Sequence, residues 1–218
     1  KKEERALEIF KRLKKEFPDA KCALDHQDPF ELLVATILSA QCTDERVNKV
    51  TPALFKRFPT VEKMSRATLE ELETLIHSTG FYKNKAKSLL GASQTIVKEY
   101  EGEFPSEMEK LIALPGVGRK TANVVLGNAF DAPEGVVVDT HVTRLSNLLG
   151  LSKQKTAEKI EIDLNKLFKK NQWVMISHFL ILHGRKTCIA RRPKCAECVL
   201  ADICPSRKIG RASCRERV

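Results

Sequence analysis

One β-branched run, Val136-Val137-Val138, is the only convincing strand candidate in these 218 residues, and three residues standing alone cannot found a sheet. Nearly everything else carries the 3.6-residue period of helices. Ala6, Leu7, Ile9, Phe10 and Leu13 recur along one face of a charged stretch from Lys2 to Phe17, which Pro18 ends. Asp28-Pro29 then opens a run from Phe30 to Ala40 that is apolar all round, as a helix in the middle of a domain must be. Thr43 caps a helix over 44–58, and Thr68 with Glu71 forms a capping box for one ending near His77. Gly80 separates that helix from a long one over about 83–100, and Ser106 with Glu109 forms a second box. Further helices are predicted over 119–130, from Asp139-Thr140 towards Leu149, and over 155–168 and 172–183. The sequence predicts an all-α protein.

Composition narrows the class. With 42% hydrophobic and 30% charged residues, the chain has enough apolar surface to build a core. No run of about 18 apolar residues is present, so no membrane helix is expected. The first twenty residues are charged and helical, unlike an apolar signal segment, and the reading is of a soluble, intracellular protein. Residues 209–218 read as a non-native, adapter-derived tail. Their three Arg and one Glu leave a net charge of +8 without them, against +10 for the whole chain. A basic surplus attracts polyanions, although solubility alone also uses one.

The most informative backbone signal is Leu114-Pro115-Gly116-Val117-Gly118, set between two short helical segments. Alternate glycines turn the chain sharply and let amides approach a ligand with no Cβ in the way. Leading into a helix N-terminus, such amides make an anion site; glycine pairs also make ordinary tight turns. Here the turn runs straight into Arg119-Lys120-Thr121-Ala122. Lys120 falls near the positive end of a helix dipole and beside Arg119, and both disfavour the ammonium form. A free amine there can attack a sugar anomeric carbon, expel the base and leave an imine; a solvated lysine contacting phosphate is the simpler alternative. Asp139 follows the valine run, where partial desolvation suits a carboxylate to proton transfer or to supporting an oxocarbenium-like sugar. It also suits an N-cap, and one residue can do both.

Four of the seven cysteines fall within seventeen residues, as Cys188-x6-Cys195-x2-Cys198-x5-Cys204. In a chain without a secretion signal, this points to a metal or an iron–sulfur cluster rather than disulfides. Zinc sites usually show paired short Cys-x-x-Cys units, and only one exists here. Cys22 and Cys42 read as core packing. Between Arg185 and Lys208 seven basic residues face two acidic ones, either to contact phosphate or to offset a negatively charged cluster. His26, His77, His178 and His183 are scattered, without metal spacing.

Taken together, Leu114 to Ala122, Val138 to His141 and the cysteine spacing resemble the endonuclease III family of helix-hairpin-helix DNA glycosylases. Ser39-Ala40-Gln41-Cys42-Thr43-Asp44 and Gly80-Phe81-Tyr82-Lys83-Asn84-Lys85-Ala86 match two further family segments, and the likeness spans about residues 4–208. The resemblance implies two helical lobes with a DNA-binding groove between them. One is a six-helix domain over 21–133 carrying the hairpin, and the other is a discontinuous cluster domain of 1–20 and 134–208. It implies a bifunctional DNA glycosylase and abasic-site lyase of base excision repair, acting on oxidised pyrimidines in duplex DNA as a monomer. It places the enzyme in the cytoplasm, on the nucleoid. In that family Lys120 would be the Schiff-base nucleophile and Asp139 the catalytic carboxylate. Cys188, Cys195, Cys198 and Cys204 would hold a [4Fe-4S] cluster. Gly116, Gly118 and Arg119 would grip the DNA backbone. Gln41 would fill the gap left by the extruded base, and Phe81, where the family commonly has Leu, would wedge the stack. Without the resemblance, Gln41 reads as a helix-end polar residue and Phe81 as a core aromatic. His141 would line the lesion pocket or make a local structural contact. Two rivals remain. One is a monofunctional adenine or mismatch glycosylase of the same superfamily, against which Lys120 argues, since adenine-excising members lack a lysine at this hairpin position. A non-catalytic DNA-binding module would not need Lys120 and Asp139 together.

Overall fold

The computed structural model describes residues 1–209; the segment from Gly210 on, most of the predicted tail and with it Cys214, lies outside the described residues. Among the described residues there is no strand, and the α-helices are α1 (Lys2–Glu16), α2 (Pro29–Leu38), α3 (Asp44–Arg57), α4 (Val61–Ser65), α5 (Leu69–Ile76), α6 (Tyr82–Glu99), α7 (Met108–Ile112), α8 (Arg119–Ala129), α9 (Thr140–Leu148), α10 (Ala157–Leu167) and α11 (Trp173–Lys186). The protein is all-α. No helix among the described residues is long and apolar enough to cross a membrane. The chain divides into two compact units, Cys22–Glu134 and the combination of Lys1–Lys21 with the chain from Gly135 on.

The Cys22–Glu134 unit is built around α2. Its Leu32, Leu33, Val34, Ala35 and Leu38 are all buried, which explains why the sequence shows no polar face there. Asp28 caps it, accepting from the Glu31 amide, with Pro29 in its first turn. Thr43 caps α3, and Thr68 with Glu71 closes the capping box of α5. The second expected box does not form. The N-cap of α7 is Glu107, without a side-chain hydrogen bond, so the helix starts one residue later than Ser106 would require. The short α4, capped by Thr60, has no counterpart among the predicted helices, because five residues carry too little periodicity to register. Cys22 and Cys42 pack partly buried against this core.

In the second unit, α1, α9, α10 and α11 enclose a separate core that includes Ile9, Leu13, Val142, Leu145, Leu164, Phe179 and Leu180. Phe10 meets Phe179 edge-on, with ring centroids 5.4 Å apart. Trp173 packs against this core from the α11 end and donates its indole N–H to the Phe168 carbonyl. The valine run forms no strand and pairs with none among the described residues. Instead the Val136 amide donates to Asn165 Oδ1 (2.8 Å) and the Val137 amide to Ser177 Oγ (3.0 Å). Side chains of α10 and α11 thus take the place of a ladder. With Val136 and Val138 buried, the run is a tether that fixes where Asp139 emerges.

Candidate active site and metal centre

The hairpin between α7 and α8 is pinned from below. Leu111, Leu114 and Val117 are buried, whereas Pro115, Gly116 and Gly118 are exposed. The two glycines do different work. Gly116 has φ of +76°, and a Cβ there would come within 2.5 Å of the Ser88 Cβ on α6, so the fold itself requires glycine. Gly118 is the N-cap of α8 at φ −91°, and a Cβ on it would meet nothing within 4 Å. Nothing in the fold demands glycine at 118; what it leaves is open space in front of the first amides of α8, with no side chain capping them. Arg119 and Lys120 follow at once, both exposed.

Asp139 is half-buried and is the N-cap of α9, its Oδ1 accepting from the Val142 amide at 2.8 Å. No hydrogen bond engages its second oxygen among the described residues. His141, in the first turn of α9, packs against α11, where a Cβ on Gly184 would lie 2.9 Å from its Nδ1. Burial pushes the His141 imidazole below its ordinary value, and the nearby Asp139 carboxylate opposes that shift. His141 also lines an open concavity of about 1250 Å³ with Arg144, Lys153, Lys155 and Arg185, so it has both a structural contact and an exposed edge.

Gln41 and Phe81 share an uncommon backbone. Each sits in the left-handed region, at φ +52° and +49°, a conformation that costs a non-glycine residue about 1 kcal/mol or more. Gln41 is exposed. Phe81, the N-cap of α6, is 63% exposed and stands outside the packed core, which overturns the alternative of a core aromatic. Their strain and exposure are visible only in the folded chain.

The four cysteines line one small apolar cavity with Leu148, Leu149 and His183 among its other walls. They do not converge on a point as a single tetrahedral ion would require; among the described residues no such group exists. Thiols standing around a cavity fit a polynuclear cluster. Burial pushes the Cys188 thiol up and Cys198 to about 11. Buried thiolates therefore need positive charge beside them, which the irons of a cluster supply when bound. The protein contributes its own donors. Arg144 Nη1 lies 3.7 Å from Cys188 Sγ, the Leu200 amide donates to Cys198 Sγ at 3.4 Å, and His183 Nε2 lies 3.5 Å from the same sulfur. His183 is 1% exposed, with its Nδ1 3.4 Å from Glu16 Oε2 on α1. The sequence gives neither Arg144 nor His183 a place at the cysteines. The signal available is their helical register, since both fall on faces turned to the cysteine segment.

Comparison with known proteins fits this architecture. The profile of the HhH-GPD superfamily base excision DNA repair protein matches residues 34–170, and that of the iron–sulfur binding domain of endonuclease III matches 188–204, bounded by the first and last of the four cysteines. Endonuclease III of Synechocystis sp. is 57% identical over 94% of both chains. Two solved structures, a non-covalent endonuclease III–DNA complex and a trapped endonuclease III–DNA covalent intermediate with an estranged adenine, each match with a TM-score of 0.90. Both are 42% identical over 95% of this chain and 97% of theirs. The class is thus a helix-hairpin-helix base excision DNA repair protein. This chain belongs to the endonuclease III family. It is a bifunctional DNA N-glycosylase and abasic-site lyase that binds duplex DNA and carries a [4Fe-4S] cluster.

Proposed function

We propose that Lys120 and Asp139 carry the chemistry of this enzyme on oxidised pyrimidine nucleotides in duplex DNA. The neutral Lys120 amine attacks C1′ of the damaged nucleotide; the bond to the base breaks and the base departs with a proton. The nitrogen lone pair then breaks the C1′–O4′ bond, O4′ takes up a proton as the sugar ring opens, and a protonated imine joins Lys120 to C1′. Removal of a C2′ proton expels the 3′ phosphate by β-elimination, cutting the strand 3′ to the lesion. Asp139, with one oxygen held by the Val142 amide and the other unengaged, is the group that moves protons and supports positive charge at the sugar. Cys188, Cys195, Cys198 and Cys204 hold the cluster, which ties 188–204 together and takes no part in bond making.

Gly116, Gly118 and Arg119 bind the DNA backbone, and His141 contacts DNA from the first turn of α9. Gln41 fills the space vacated by the base and Phe81 wedges the stack. A domain over 21–133 presents the hairpin, and one of 1–20 with 134–208 presents the cluster. The enzyme works as a monomer in the cytoplasm, on the nucleoid. The observation that carries the reading is the placement of Lys120: exposed, in the first turn of α8, behind an N-cap with no side chain. The relative captured as a covalent intermediate with DNA supports a nucleophilic route. Borohydride trapping on a duplex with one abasic site tests it. Wild type is expected to give a covalent adduct that Lys120→Ala abolishes; an undiminished adduct in the mutant would remove Lys120 as nucleophile.

A further inference from the structure

Lys85 is buried, 5% exposed, in the first turns of α6. A buried ammonium is costly unless its protons find acceptors, and this one donates two hydrogen bonds. Its Nζ lies 2.8 Å from the Leu38 carbonyl and 2.8 Å from the Thr79 carbonyl. No carboxylate pairs with it among the described residues; the acceptors are main-chain oxygens at the ends of two different elements. Leu38 is the last residue of α2, and Thr79 ends the 3-10 turn His77–Thr79. Carbonyls at such ends lack partners within their own element, and the negative end of a helix favours a cation.

Each of these carbonyls lies just upstream of a strained, exposed residue. Gln41 stands three residues past Leu38, and Phe81 two past Thr79, both left-handed and both exposed. The Lys85 amide also donates to the Phe81 carbonyl at 3.1 Å, so Lys85 grips the second turn from main chain and side chain alike. A single ammonium therefore joins the two segments whose side chains, by the proposed function, enter the DNA stack. We infer that Lys85 is a positioning residue that sets the spacing of Gln41 and Phe81, so that gap filling and wedging occur together when a base is extruded. The inference rests on that insertion reading. It assigns Lys85 no contact with DNA, and its burial denies it one.

The test uses the full, cluster-loaded enzyme. A duplex carries a non-cleavable abasic analogue with 2-aminopurine beside it, whose fluorescence rises when the stack is opened. In parallel, borohydride trapping on an abasic site in single-stranded DNA reports Lys120 chemistry where no stack exists to be opened. Lys85→Met removes the charge while keeping the length of the stem. Misplacement by about 1 Å can cost about a hundredfold, so a drop of about ten- to hundredfold is expected in glycosylase rate on a paired damaged base. The fluorescence rise should be lost with it, and single-strand trapping should stay within about twofold of wild type. The double variant Gln41→Ala/Phe81→Ala must lose the fluorescence rise as well. If the double variant loses the fluorescence rise and Lys85→Met keeps it, the Lys85 inference is wrong and the insertion reading stands. If the double variant keeps the rise, the insertion reading fails and takes the inference with it. Should Lys85→Met not fold, Lys85→Gln, which keeps an NH2 group but is uncharged and one atom shorter, decides by the same comparison. A folded Gln variant with wild-type fluorescence rise and rate overturns the inference.

Discussion

Serine in place of Gly118 should move stability and DNA binding in opposite directions. Gly118 is the N-cap of α8, its φ of −91° and ψ of 170° are open to any residue, and a Cβ there would meet nothing within 4 Å. Serine is among the best N-caps, since its hydroxyl accepts from an amide of the first turn, and it also narrows the unfolded ensemble relative to glycine. Together these effects should stabilise the protein by about 0.5 kcal/mol or more, raising Tm by roughly 1–2 °C for a chain of this size. The same hydroxyl now occupies the amides and the space that phosphate would use. Losing one charge-assisted hydrogen bond of about 1.5–3 kcal/mol should weaken duplex binding by about tenfold or more. Thermal melting and fluorescence anisotropy at one fixed salt concentration measure the two quantities. Gly116→Ala is the contrast, because its positive φ and its approach to Ser88 make it destabilising by about 1–3 kcal/mol. A Gly118→Ser variant that melts higher and still binds as tightly as wild type would refute the claim that these amides grip DNA.

Two more expectations separate structure from chemistry. Asp139→Asn keeps an N-cap for α9, so melting should change by less than about 0.5 kcal/mol, whereas Asp139→Ala should lose about 1 kcal/mol. Single-turnover base excision should fall by about 10²–10⁴-fold in both; if only the Ala variant loses activity, Asp139 is a cap and nothing more. His178 is pushed below its ordinary value of 6.5 by burial. The unfolded chain therefore takes up that proton first as pH falls, and stability is lost below pH 6.5 with no contribution above it. Urea unfolding across a pH series should show a shallower acid slope for His178→Gln, by at most about 1.4 kcal/mol per pH unit. An unchanged slope would mean that the group titrates alike in both states.

Much of this protein is written in local signals. Asp28, Thr43, Thr68 and Asp139 cap helices in the structure as their spacing to the following residues predicts, because a cap needs only a side chain and an amide three residues on. The all-apolar run of α2 sits at the centre of its unit for the same kind of reason: a helix without a polar face has nowhere else to go. Cysteine spacing and the hairpin string likewise carry their chemistry within a few residues. Local logic fails where neighbours decide, as at Ser106, whose box with Glu109 is lost once α7 begins at Met108. It is silent on contacts between distant residues. Lys85 meets Leu38 across 47 positions, and Arg144 reaches Cys188 across 44. The left-handed turns at Gln41 and Phe81 are held by surroundings that no window of sequence contains. The sequence alone determined the long helices and which residues have reactive side chains; the five-residue α4 and the start of α7 were not among them. Tertiary structure decided which buried donors meet which carbonyls and sulfurs, because a buried charge is tolerated only where the whole fold supplies its partners.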